Sequence, residues 1–147
     1  MDDIIKFSPE ELQEAASAIR ALQEKYPLLN PSGWASPWFY VDEHHSLESV
    51  LADREAMPQE HAEPFLLACE WIRENMPQSR KVCRRKSSYG LKDIAEKEIG
   101  YIQNGTFIAA AIHCGLKFVP VDKKLNSQNV FFKFDDKPFK KKYRKYF

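Results

Sequence analysis

No long apolar run occurs in this chain of 147 residues. The longest, residues 107–112, is far short of the roughly 20 residues that cross a bilayer, so no membrane partner is expected. The chain opens Met1-Asp2-Asp3 without a basic segment leading into an apolar one, and a secretory signal is not expected either. Cysteine is scarce. Cys69, Cys83 and Cys114 are too irregularly spaced for a disulfide framework and read as reduced thiols of a cytosolic, cytoplasmic protein. The patterns that announce a reaction are missing too: there is no Gly-rich phosphate loop, no Gly-x-Ser-x-Gly and no His-Glu-x-x-His. His44, His45 and His61 with Cys69 come nearest to a metal-ligand set. They lack the paired ligands that lower the entropic cost of closing a zinc site, so neither a metal nor another cofactor is expected. His113 and Cys114 are chain neighbours, about 100° apart on a helix, and cannot face each other as base and nucleophile. The chain reads as a binding protein rather than an enzyme.

What is present is a core and a charge asymmetry. Hydrophobic residues make up 44% of the chain and aromatics 13%, with ten Phe, six Tyr and three Trp, enough to exclude a wholly disordered chain. The net charge of +1 conceals two opposed halves. Residues 1–78 hold five Lys and Arg against fifteen Asp and Glu, a net −10. Residues 79–147 hold seventeen against six, a net +11. Such separation creates an oriented field rather than a mixed, solubilising surface. Three explanations are open. The basic half meets nucleic acid or another polyanion; the acidic half meets a basic protein surface; or the halves neutralise each other, internally or across a homodimer.

The patterning predicts a mainly helical α+β fold. Ser8-Pro9-Glu10-Glu11 is a capping-box start, and Leu12, Ala15, Ala16, Ile19 and Leu22 extend a helix to about Lys25, stopped by Pro27. Trp34, Trp38, Phe39, Tyr40 and Val41 then lie among Pro27, Pro31, Gly33 and Pro37. They read as an ordered cap on the core in preference to a contact surface, with residues 38–41 as a candidate strand. A short acidic helix from Ser46 is expected to stop before Pro58, followed by a longer helix over residues 59–76 striped by Phe65, Leu66, Cys69, Ile72 and Met76. Residues 77–86 read as a linker or hinge between an acidic helical unit, 1–78, and a basic unit, 79–147, which are free to pack as one domain. In the basic unit a helix capped by Ser87 or Ser88 carries Leu91, Ile94, Ala95 and Ile99 and closes at Gly100. The next, from Asn104 to Gly115, is apolar nearly all round and therefore a buried spine. Two strands, 118–121 and 130–134, enclose a polar turn with Lys123 and Lys124 at its tip. Helix, turn, helix and two-stranded ribbon is the element order of a winged helix-turn-helix, so the basic unit is expected to be winged-helix-like with a β-hairpin.

Ser87-Ser88-Tyr89-Gly90-Leu91-Lys92, then Asn104-Gly105-Thr106-Phe107-Ile108-Ala109-Ala110-Ala111, then Asn129-Val130-Phe131-Phe132, resemble a motif set of small phage- and plasmid-borne proteins of unassigned function. The resemblance spans roughly residues 71–134 and leaves out the acidic half; Asp93 stands where that motif set has His. It implies a phage or mobile-element setting, in which small proteins bind DNA or inhibit host defence enzymes, and it assigns no catalytic or binding residue.

The leading expectation is backbone-dominated nucleic-acid contact, with DNA favoured over RNA. The candidate residues are Arg80, Lys81, Arg84, Arg85 and Lys86 in the linker, Lys123 and Lys124 at the wing tip, and Lys140, Lys141, Lys142, Arg144 and Lys145 in the tail. Phe139, Tyr143, Tyr146 and Phe147 are placed to stack on unpaired bases, whereas the 104–114 helix offers few base-reading side chains beyond Gln103, Asn104, Thr106 and His113. The alternative is an inhibitor of a host nucleic-acid-handling or defence complex, of anti-restriction or anti-CRISPR type. Its Glu48, Asp53, Glu55, Glu60, Glu63, Glu70 and Glu74 would imitate phosphates in a basic groove.

Overall fold

The computed structural model describes residues 6–124 and 126–147. Helix α1, Pro9–Lys25, begins with the expected capping box: the Glu11 amide donates to Ser8 Oγ at 3.1 Å and the Ser8 amide to Glu11 Oε1 at 3.0 Å. Two short paired strands follow, β1 (Leu29–Asn30) and β2 (Gly33–Trp34). Residues 37–40 form a 3-10 helix rather than the expected strand, because Pro37 at its first position presets a helical φ.

Helix α2, Leu47–Glu60, runs through Pro58 instead of stopping before it. Pro58 has no N–H for the carbonyl of Arg54, four residues earlier. Gln23 of α1 supplies the missing donor, its Nε2 lying 2.8 Å from Arg54 O. The exchange is reciprocal, since the Arg54 guanidinium donates to Gln23 O at 2.9 Å and to Leu29 O at 3.2 Å. A proline that would break an isolated helix is accommodated by a neighbour.

Helix α3, Ala62–Asn75, puts Pro64 in its first turn, where no bond is lost. The expected linker is instead a strand, β3 (Gln78–Val82), because its backbone groups find partners in the sheet. Helices α4 (Ser88–Ile99) and α5 (Asn104–His113) come next, then β4 (Phe118–Pro120), β5 (Val130–Phe134) and α6 (Asp136–Lys142), with a 3-10 turn at Arg144–Tyr146. The strands form an antiparallel sheet in the order β3-β5-β4, so the two expected ribbon strands do pair. The fold is α+β with six helices and two small antiparallel sheets.

Residues 104–111 of α5 are all buried. Helix α3 packs on one side of it, α4 on another, and β1 and β2 cross its start. There the backbones nearly touch: a Cβ on Gly105 would lie 1.6 Å from Asn30 O, so only glycine fits. The core around α5 draws Ile19 and Phe65 from before residue 78 and Leu91, Phe132 and Phe139 from after it. Charge changes sign at that boundary; the packing continues across it. No helix among the described residues is long and apolar enough to cross a membrane.

Gln23→Leu should destabilise the protein by about 1–3 kcal/mol, the cost of an orphaned buried carbonyl. In a Pro58→Ala background, where the helix supplies its own donor, the same change should cost less. Urea denaturation of the double-mutant cycle measures the coupling.

Candidate nucleic-acid interface

Strand β5 alternates. Val130, Phe132 and Phe134 are buried, and Phe131 and Lys133 point to the opposite face. Register carries that face across the sheet, because directly paired residues share a side. Phe131 lies opposite Val119 of β4, and Lys133 lies opposite Val82 of β3 while its amide donates to Lys117 O at 2.8 Å. Arg80, Lys117 and Lys133 line a shallow groove of about 490 Å³ with Gln78, Ser79 and Gly115. At the other end of β3 the Arg84 guanidinium carbon sits 5.4 Å from the centroid of the Phe131 ring. The three strands contain no Asp or Glu.

The twelve cations picked out from the sequence divide into three positions. Arg80, Lys81, Arg84 and Arg85 are exposed on β3 and its exit, and Lys86 is half-buried with its Nζ 5.4 Å from the Phe147 ring, which brings the β3 exit against the end of the chain. Lys123 and Lys124 are exposed in the loop joining β4 to β5, where Asp122 Oδ1 accepts the Lys124 amide at 2.9 Å. The base of that loop is clamped: the Trp34 amide donates to Gln128 O at 2.7 Å, and Asn104 Nδ2 donates to Asn129 Oδ1 at 2.9 Å. In the tail, Lys141, Arg144 and Lys145 are exposed. Lys140 pairs with Asp136 at 3.6 Å, and Lys142 turns toward the acidic half, meeting Glu74 at 3.8 Å and Asn75 Oδ1 at 2.8 Å.

The tail aromatics differ from expectation. Phe139 is 1% exposed and Tyr143 7%, packed against Trp71 and Phe134, so neither is available to a base. Their apolar area closes the core below β5. Phe147 alone of the four is well exposed, and Tyr146 is half-buried. Helix α5 is likewise closed to a groove: its Asn104 holds the loop, and Thr106 Oγ1 lies 2.7 Å from Nδ1 of His61. Lys117, Lys133 and Phe131 lie outside the candidates that the sequence singles out. Lys133 and Phe131 were legible in the alternation of β5, whereas Lys117 joins them only through strand register.

On the acidic half, Glu55 pairs with Arg20 at 3.2 Å, Glu70 with Lys6 at 2.7 Å, and Glu74 with Lys142. Glu48, Asp53, Glu60 and Glu63 are exposed and form no ion pair among the described residues. Asp53 and Glu60 line a cavity of about 470 Å³ with Asp42, His45, His61, Phe39 and Tyr40. Burial lowers the His61 pKa, favouring the neutral ring, and raises that of Tyr40, whose buried hydroxyl has no hydrogen-bond partner. Beside this cavity Trp38 is 67% exposed and Phe39 42%, while Trp34 is buried against Tyr26 and Phe118. The aromatic segment is thus split between core and surface. Among the described residues no group of three His, Cys, Asp or Glu is placed to hold a metal ion.

A polar cluster anchors the tail. Tyr143 Oη donates to Glu98 Oε2 at 2.6 Å, and Trp71 Nε1 donates to the same oxygen. The Tyr143 hydrogen bond, aided by Trp71 and Lys142, holds the Glu98 carboxyl below its ordinary pKa of 4.5. Because the folded value is the lower one, its stabilisation is complete above the unfolded pKa and is lost as pH falls through the folded one. Glu98→Gln should lower the melting temperature at pH 7 and weaken the acid dependence below about pH 4.5, as thermal melts from pH 7 to 3 would measure.

Comparison with known proteins returns no match of any kind: no protein-family model, no curated protein and no solved structure matches the chain.

Proposed function

We propose that this protein binds nucleic acid through the outer face of the β3-β5-β4 sheet, Lys123 and Lys124 of the adjoining loop and the exposed cations of the tail. Contacts to phosphate dominate, and sequence preference is weak. One observation carries this reading. Opposite charges of about ten units each fold into one molecule, yet among the described residues a single ion pair, Lys142 with Glu74, joins the two halves. Ten of the twelve candidate cations, with Lys117 and Lys133, form no ion pair among the described residues. Ion pairing within the molecule thus leaves most of the asymmetry unmatched, which supports an external polyanion as partner.

The order α3, β3, α4, α5, β4, β5, with β5 between the other two strands, supports a winged-helix-like unit as the scaffold. In this reading α5 holds the place of the groove-reading helix but serves as core, and contact passes to the sheet, the wing loop and the tail. A phage or mobile-element setting, suggested by the motif resemblance, suits a small DNA-binding protein of this kind.

A second reading is favoured by Trp38, Phe39 and Leu51, which are 67%, 42% and 45% exposed and lie near the unpaired carboxylates of α2. An apolar centre rimmed by acid fits a basic surface on a nucleic-acid-handling protein. Trp38→Ala combined with Lys at Glu48, Asp53, Glu60 and Glu63 should then abolish capture of such a protein from host extract while leaving oligonucleotide binding intact. Capture that survives these changes counts against it.

For the leading reading, labelled oligonucleotides titrated by anisotropy should bind at low salt and weaken steeply as salt rises. Replacing Arg80, Lys117 and Lys133 together by Gln should reduce the log–log salt slope by about 2–3, the share of three phosphate contacts. No binding at low ionic strength, or an unaltered slope, overturns the assignment.

A further inference from the structure

We infer that the solvent face of the β3-β5-β4 sheet is a platform for single-stranded nucleic acid, with Phe131 as the ring on which a base stacks. The inference rests on the nucleic-acid reading above and specifies its substrate. Arrangement on the face is the argument. Arg84, Phe131 and Val119 form one row, and Val82, Lys133 and Lys117 the next, with Arg80 beside the second. Side chains of successive rows are about 7 Å apart along each strand. A half-buried apolar strip of ring and aliphatic side chains is thus set within cations, and none of the strands contributes a carboxylate.

A duplex offers such a face only its phosphates and leaves the apolar strip without a partner. Its grooves admit a helix or a ribbon, but α5 is buried and β5 is the centre of a sheet. An unpaired strand offers both components: phosphates for Arg80, Lys117 and Lys133, and the flat face of a base for Phe131. Arg84 now covers the ring of Phe131. It yields that place to an arriving base and turns to the neighbouring phosphate, so the ring is protected from water until it is used.

The test uses the full 147-residue protein with a labelled 12-nucleotide single strand, as DNA and as RNA, and the duplex of the same sequence. The single strand should bind more tightly than the duplex at every salt concentration, and the DNA and RNA arms tell which polymer is preferred. Phe131→Ala and Phe131→Leu should weaken single-strand binding about 5- to 100-fold at unchanged salt slope. Phe131→Trp should restore it, and duplex binding should be unaffected by all three. Leu keeps the apolar packing against Val119 without a π face, so a loss shared by a circular-dichroism-normal Leu variant reports stacking rather than unfolding. Duplex bound as tightly as single strand, or indifference to Phe131→Leu, overturns the inference and leaves the broader reading standing. Failure of every oligonucleotide to bind overturns both.

Discussion

Burial of α5 on every side is the constraint from which the rest of the molecule follows. A helix whose residues 104–111 are all inaccessible must be enclosed by other elements, and here those come from both halves of the chain. The approach of Asn30 and Pro31 to Gly105 is so close that β1 and β2 lie on the helix backbone, with the Gly105 amide donating to Pro31 O at 2.9 Å. Around that contact the apolar faces of α3 and α4 and the inner face of the sheet find their places. Sealing the far side requires Phe139 and Tyr143, which is why the basic tail doubles back instead of trailing into solvent.

An enclosed spine explains how so polarised a molecule holds together with a single ion pair between its two halves among the described residues. Exposed ion pairs contribute on the order of 0–1 kcal/mol each, whereas burying one large apolar side chain contributes about 1.5–3 kcal/mol. The core is therefore sufficient, and surface charge is left free to be arranged for other ends. Segregation costs some self-repulsion within each half. In return it creates an oriented field, which is the property the proposed polyanion contact would draw on. The same enclosure leaves α5 no accessible face over residues 104–111, so the exposed cations after residue 78 stand on the sheet, its loop and the tail.

Much of the fold was legible in the residues, where the signal is local. The cap at Ser8, the stripe from Leu12 to Leu22, the all-apolar run after Asn104 and the alternation of residues 130–134 each report a neighbourhood only a few residues wide. The errors arose where a distant partner decides. Pro58 reads as a stop because nothing nearby shows that Gln23 will serve the Arg54 carbonyl. Residues 78–82 read as a linker because their strand partner begins some fifty positions later. The tail aromatics read as stacking residues because their spacing among lysines does not distinguish a buried ring from an exposed one.

The candidate site shows the same division. Sequence alone determined that the cations are concentrated after residue 78, since charge is a property of composition and needs no fold to count it. It also determined that α5 would be buried, since a helix without a polar face has no stable position at a surface. Tertiary structure alone decided which cations stand together: strand register sets Lys117 beside Lys133, and Lys142 is turned away by Glu74 and Asn75. It alone decided that Phe139 is buried in the core while Phe131 lies half-buried on the outer face of the sheet, under Arg84. The reason is geometric. A surface patch is assembled from residues brought together by pairing and packing between remote segments, and those contacts are set by the lowest free energy of the whole chain rather than by any stretch of it.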